Sequence, residues 1–355
     1  MHAAQPAATM AAKTSGFSGF HGETASNWER KYACVRASAV TGKHRLSLGL
    51  RVAVLVAAMA PCSAGAITVQ FDYRYDTRGF FTDTASGAPI AERRELLELA
   101  ASAYANFSDN LTAISPQAGD TWSVTITHPS LGGPPLRLTD LSIAADTIRV
   151  YVGGSPSAPG VLGFAGAGSN LTASGSESFV SNVLTRGQAN AIGDDATDYG
   201  VWGGYIWFNA VQDWYFGADA GGLTPGNPDF LTTATHELGH ILGFGGADSW
   251  FNQIDTSTNT FTGATSTAVY GGPVPLDSFD NHWAEGLYSE VSGISQETLM
   301  DPSTLRGQRE LMTSLDYAGF RDIGWQVAAV PLPGAVWLFG GGLLGWLKLR
   351  RRPTC

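Results

Sequence analysis

Two histidines and a glutamate in the run His236-Glu237-Leu238-Gly239-His240 are the residues whose types and spacing could do chemistry. On a helix, positions i and i+4 lie one above the other. Both imidazoles could then bind one Zn²⁺ while the adjoining carboxylate deprotonates a water, which is the chemistry of metal-assisted hydrolysis. The bare five-residue pattern also arises by chance on amphipathic helices, so its surroundings decide. Asn227-Pro228 offers an N-cap and a first-turn proline, and Gly243 a stop, so the spacing predicts a helix over 228–242. At about 100° per residue, Leu231, Ala234, Leu238, Ile241 and Leu242 gather on one side and His236 and His240 on the opposite one. One face is expected to pack and the other to look into a cleft.

Two histidines do not complete a catalytic zinc site, which normally has three protein ligands and one open position. In the commonest metzincin spacing, His-Glu-x-x-His-x-x-Gly-x-x-His, the third ligand would fall on residue 246, which here is Gly246. Asp248 is two places late. His282, in Asp280-Asn281-His282-Trp283, is the better candidate, because the stretch 67–327 holds only His128, His236, His240 and His282. His128 follows a strand-like run and reads as a solvated strand-end residue.

From His236 to Phe244, then through Phe261-Thr262-Gly263-Ala264, Tyr270-Gly271-Gly272, Val274-Pro275-Leu276 and His282-Trp283, the chain resembles the leishmanolysin-like metzincins in order and spacing. The resemblance covers 199–327. It implies an α+β metzincin-like zincin with a mixed twisted sheet, a backing helix, an active-site helix and a loop-rich C-terminal subdomain. It further implies one catalytic Zn²⁺ on His236, His240 and His282, Glu237 as general base, and a protein or peptide substrate. Leu299-Met300-Asp301-Pro302 looks like the Met-turn of that clan. Met312 competes for the role, but the turn-forming Asp-Pro favours Met300. Eukaryotic leishmanolysins are disulfide-rich, whereas Cys34, Cys62 and Cys355 all lie outside 67–327. Stability is therefore expected from a hydrophobic core.

Both ends carry targeting signals. A basic start at 45–51, an apolar run at 52–60 and Ala64-Gly65-Ala66 read as a secretory signal peptide over 43–66, with 1–42 as a mis-called start or disordered extension. The segment 328–355 opens on Val330-Pro331-Leu332-Pro333, runs apolar to Leu347 and closes on Arg350-Arg351-Arg352. It resembles the PEP-CTERM sorting tail of Gram-negative bacteria, which implies one transmembrane helix, transient membrane anchoring, an exosortase-type processing enzyme and delivery to the cell surface or matrix. A plain membrane anchor is the other reading of that tail.

Ten arginines and no lysine stand against 29 acidic residues in 67–327, a net charge near −19 that repels nucleic acid. Asp194, Asp195 and Asp198 could be weighed as Ca²⁺ donors, but no EF-hand spacing supports them and an acidic solvated loop is the expectation. Periodicity predicts strands over 67–73, 122–127, 147–152 and 199–208, a helix over 91–107, and a long Gly/Ser/Ala-rich loop over 153–178. The competing functional class is a non-catalytic surface or matrix protein that retains the fold. Glu237 argues against it, because a structural zinc site has no use for a base.

Overall fold

Short runs of β-branched and aromatic residues build the sheet beneath which the histidine helix lies. The computed structural model describes residues 65–132 and 135–328. The extension 1–42, the signal segment up to residue 64 and the tail from 329 onward, including the expected transmembrane helix, lie outside the described residues. Among the described residues no helix is long and apolar enough to cross a membrane.

The chain is α+β. Its elements begin with β1 (Gly65–Ala66), β2 (Thr68–Asp72), α1 (Ala91–Ser102), β3 (Phe107–Asp109), β4 (Thr121–Ile126) and β5 (Leu136–Thr139). Then come β6 (Thr147–Ser155), β7 (Gly163–Gly166), β8 (Ser169–Ser174), α2 (Glu177–Thr185), β9 (Gly203–Asn209) and α3 (Phe230–Ile241). The main sheet has the order β2-β6-β9-β7. Its first three strands are parallel, with Val150 opposite both Phe71 and Gly204, and β7 returns antiparallel along β9, its outer edge without a strand partner among the described residues. The antiparallel sheet β5-β4-β8 packs against it, Trp122 meeting Trp202 edge to face. On the helical side, α3 lies under β7 and β9 and α1 packs along α3. Tyr104 donates from its hydroxyl to the Thr235 carbonyl at 2.7 Å and so pins the chain just after α1 to α3.

The remainder is small elements: α4 (Asp248–Phe251), the three-stranded β10 (Ile254–Asp255), β11 (Thr260–Phe261) and β12 (Val274–Pro275) with α5 (Ala264–Tyr270) between the last two, the hairpin β13 (Tyr288–Val291) and β14 (Ile294–Glu297), α6 (Ser314–Asp322), and β15 (Gln326–Val327). A nest of fully buried aromatics, Phe244, Trp250, Phe261, Trp283 and Phe320, holds these pieces to the end of α3. Such rings bury large apolar areas, so this half needs few regular hydrogen-bonded elements. The strand β3 pairs with β1 on one side and β15 on the other, tying together the two ends of the described chain.

Several boundaries differ from expectation. The first helix stops at Ser102 rather than 107, because Phe107 is drawn into a strand and buried against Tyr104 and Phe320. The 153–178 segment is not a loop, since it finishes β6, forms β7 and β8 and begins α2. Its glycines serve packing. A Cβ at Gly154 would meet the Phe80 ring at 2.6 Å and one at Gly153 would meet the Ser130 hydroxyl at 2.6 Å.

Candidate metal centre

The helix α3 begins at Phe230, not at Pro228, and its N-cap is Asp229. The Asp229 carboxylate accepts from the Thr232 amide and hydroxyl, and Arg309 grips it with both Nε and Nη2 at 2.8 Å, so the cap is also an ion pair that anchors the helix start to the distant 303–313 segment. Asn227, the expected cap, instead bonds Asp213. At the other end Gly243 and Gly245 take φ of +97° and +66°. A Cβ on Gly245 would strike the Asn281 carbonyl at 2.0 Å, so a side chain there is excluded by the close approach of the strand of chain that carries His282. The expected division of α3 into packed and open faces does not hold: eleven of its twelve residues are buried, including His236 and Glu237, because β7 and β9 cover one side and the 299–312 segment another.

The structure brings His236, His240 and His282 together across 46 residues of chain. Their Nε2 atoms stand 3.1 Å (His236 to His240), 3.2 Å (His236 to His282) and 3.0 Å (His240 to His282) apart. Each ring turns Nδ1 to an oxygen. His236 donates to the Leu299 carbonyl at 2.7 Å, His240 to the Phe244 carbonyl at 2.9 Å, and His282 to Asn281 Oδ1 at 2.7 Å. A carbonyl can only accept, so these partners assign the proton to Nδ1 in all three rings and leave each neutral Nε2 as a bare lone pair. Burial drives His236 down to about 3, with the His282 ring adding to the effect, and burial followed by its two neighbours drives His240 well below its ordinary value. Three lone pairs converging on one point repel unless a cation lies among them. Tetrahedral zinc with nitrogen ligands at 2.0–2.1 Å sets those nitrogens about 3.3–3.4 Å apart, close to the observed triangle. The residues present therefore fit the metal that the spacing implied.

Glu237 follows His236 on α3 and meets strand β7 at Gly163. A Cβ added at Gly163 would fall 2.8 Å from Glu237 Oε1, so a side chain there would have to displace the carboxylate. Burial raises the Glu237 carboxyl to about 8; a cation held by the three imidazoles would draw it back toward the ionised form that a base requires.

The turn holding Met300 lies against the helix between the two histidines. Met300 is fully buried, and a Cβ on Gly239 would meet its Sδ at 2.7 Å. Met312 is buried as well, just before α6, and it is Met300 that touches Gly239. Asp316 was not singled out from the sequence, yet it joins the parts. It accepts from the amides of Leu299 and Met300, from Trp283 Nε1 and from Thr313, within a capping box at the start of α6. The Thr313-x-x-Asp316 spacing was the available signal. Asp277 closes the 277–283 loop by accepting from the amides of Asn281 and His282.

The remaining candidates fall elsewhere. Asp248 accepts from the Gly193 amide at 2.8 Å, and His128 accepts from the Ser130 amide and packs on Tyr75. Asp194, Asp195 and Asp198 do not form one of the two convergent ligand groups found among the described residues. The chain matches no protein-family model, no curated protein and no solved structure.

Proposed function

We propose that this chain is an exported zinc-dependent endopeptidase of leishmanolysin-like metzincin type, with Met300 in the Met-turn. The observation that carries the reading is the convergence of three Nδ1-protonated imidazoles beside a buried carboxylate and beneath an unpaired strand edge. His236, His240 and His282 would hold the ion. Zinc bound there supplies Lewis acidity toward a carbonyl and acidifies water.

The protein's own groups do the rest. The outer edge of β7 has no strand partner among the described residues, so an extended peptide can pair along it through main-chain hydrogen bonds. That docking brings the peptide main chain beside Glu237. The Glu237 carboxylate takes a proton from the attacking water and passes it to the departing amine as the C–N bond breaks, so the water oxygen ends on the new carboxylate. Leu299, Phe244 and Asn281 keep the imidazoles in the tautomer that presents Nε2. Processing of the 328–355 tail by an exosortase-type enzyme and release at the cell surface belong to the same proposal.

The test is metal analysis of the purified chain together with casein cleavage. About one zinc per chain and chelator-sensitive hydrolysis are expected. Glu237→Ala should keep the zinc and lose about 10²–10⁴-fold in rate. Full activity in that variant, or in metal-free protein, sinks the reading.

A further inference from the structure

A second group of potential ligands lies apart from the imidazoles. Glu285, Glu297 and Asp301 each offer a carboxylate oxygen, and these oxygens lie within 4.8 Å of one another. Asp301 is fully buried, and neither of its oxygens meets a hydrogen-bond partner of good geometry. Glu310 stands close by, 4% exposed, with its Oε2 also unpartnered. Burial and then the charges of Glu310, Glu285 and Glu297 push the Asp301 carboxyl up to about 9, while the Ser303 amide opposes this only slightly.

No cation among the described residues answers these charges. The ion pairs among the described residues join Arg74 to Asp72 and Arg309 to Asp229, and neither reaches this group. The other hydrogen bonds leave oxygens free: Ser303 Oγ donates to Glu285 Oε1, and the Gly286 amide donates to Glu297 Oε1 at 2.9 Å. A buried carboxylate with no partner costs several kcal/mol unless it is neutralised, by a proton or by an ion.

We propose that Glu285, Glu297 and Asp301, with Glu310 behind them, form a binding site for a hard divalent cation, Ca²⁺. An all-oxygen, all-carboxylate donor set selects a hard ion over zinc. Ligand oxygens no more than 4.8 Å apart suit a shared ion, since two opposed Ca–O bonds of about 2.4 Å span that distance. Calcium tolerates irregular coordination and completes its shell with carbonyls and water, so donors from a loop, a hairpin end and a turn can serve together. The site would tie the end of β14 and the chain before β13 to the residue that follows Met300. This inference stands whether or not the imidazole centre is catalytic.

The full-length chain, carrying one equivalent of zinc in resin-treated calcium-free buffer near pH 7.5, is titrated with CaCl₂ by calorimetry and followed by thermal melting. One Ca²⁺ per chain with a Kd of about 10⁻⁴ M or tighter, and a melting temperature that climbs with calcium, are expected. Glu285→Gln combined with Glu297→Gln alters residues at or near the surface and should weaken calcium binding at least about tenfold and flatten the thermal response, as charge count sets affinity in such sites. Zinc content should stay at one per chain in that variant, which separates loss of this site from misfolding or from failure of the imidazole centre. Asp301→Asn should behave likewise. Absence of heat and of any thermal shift up to about 10 mM calcium, beyond the weakest protein sites, would mean that protons neutralise the carboxylates and would overturn the proposal. Wild-type calcium affinity in the double variant would overturn it too, by placing the ion elsewhere.

Discussion

A histidine becomes a good metal ligand when its second nitrogen is already committed, and here two are committed to backbone carbonyls and the third to a side chain. His236 is held by the Leu299 carbonyl in the turn of Met300, His240 by the carbonyl of Phe244 one turn along its own chain, and His282 by the side chain of its neighbour Asn281. The third hold is the weakest in construction, because it depends on a side chain and not on a backbone carbonyl. His282→Ala is therefore expected to strip most of the zinc, and Asn281→Ala to cost about 10–100-fold in zinc affinity through loss of ring orientation. Asp248→Ala should leave affinity as it was, since that carboxylate is occupied by the Gly193 amide. Zinc competition against a chromophoric chelator measures all three, and a His282→Ala protein with unchanged zinc affinity would remove His282 from the site.

At the scale of elements, the three imidazoles arrive on one helix and one remote loop, and Asp316 is the residue that fastens the loop and the Met300 turn to α6. Its carboxylate serves the Leu299 and Met300 amides, the Trp283 indole and Thr313 from a buried position. Hydrogen bonds to a charged acceptor contribute about 1.5–3 kcal/mol each. Asp316→Asn keeps the size but sets an amide among donors, so we expect a loss of about 3 kcal/mol in stability with a parallel fall in zinc affinity. Thermal melting and zinc competition read the two effects. A protein that melts lower yet binds zinc as before would make Asp316 a stability residue with no hold on the centre. What could be read in advance follows the same division. The i, i+4 histidines and Glu237 were legible because helix geometry alone sets their relation, and the parallel strands β2, β6 and β9 were legible from their periodicity. His282 was reached by elimination among the four histidines of 67–327 and then by a resemblance, because no local rule relates it to residues more than 40 positions earlier. The Asp229 cap was missed because Arg309, which rewards it, is far away in sequence. Strand β7, the edge that meets Glu237, was hidden in a Gly-rich tract whose composition mimics a loop. Those glycines exist for contacts with Phe80, Ser130 and Glu237, and such contacts leave no local periodicity.

Over the whole molecule, acidity is the dominant charge, and most acids remain solvated while a few are enclosed. Asp109, at the end of β3 where the two ends of the described chain meet, is 3% exposed; its Oδ1 accepts from the Asn110 amide and its Oδ2 has no partner. Burial, with Asp198 and Asp146 nearby, raises its carboxyl from 3.8 to about 6 despite the Asn110 amide. A folded-state value above the unfolded one means that folding favours the protonated acid. Its contribution is complete below about pH 4 and is lost as the pH rises through about 6, so above that range the fold carries an enclosed charge. Asp109→Asn keeps an oxygen for the Asn110 amide and never ionises. It should therefore raise stability at pH 8 by about 1–3 kcal/mol, the usual penalty of an unsatisfied buried group, and by only about a third as much at pH 4.5. Chemical denaturation of wild type and variant at both pH values, at fixed zinc and calcium, gives the difference directly. A gain of equal size at both pH values would show that packing or strand pairing, and not the enclosed charge, governs this junction.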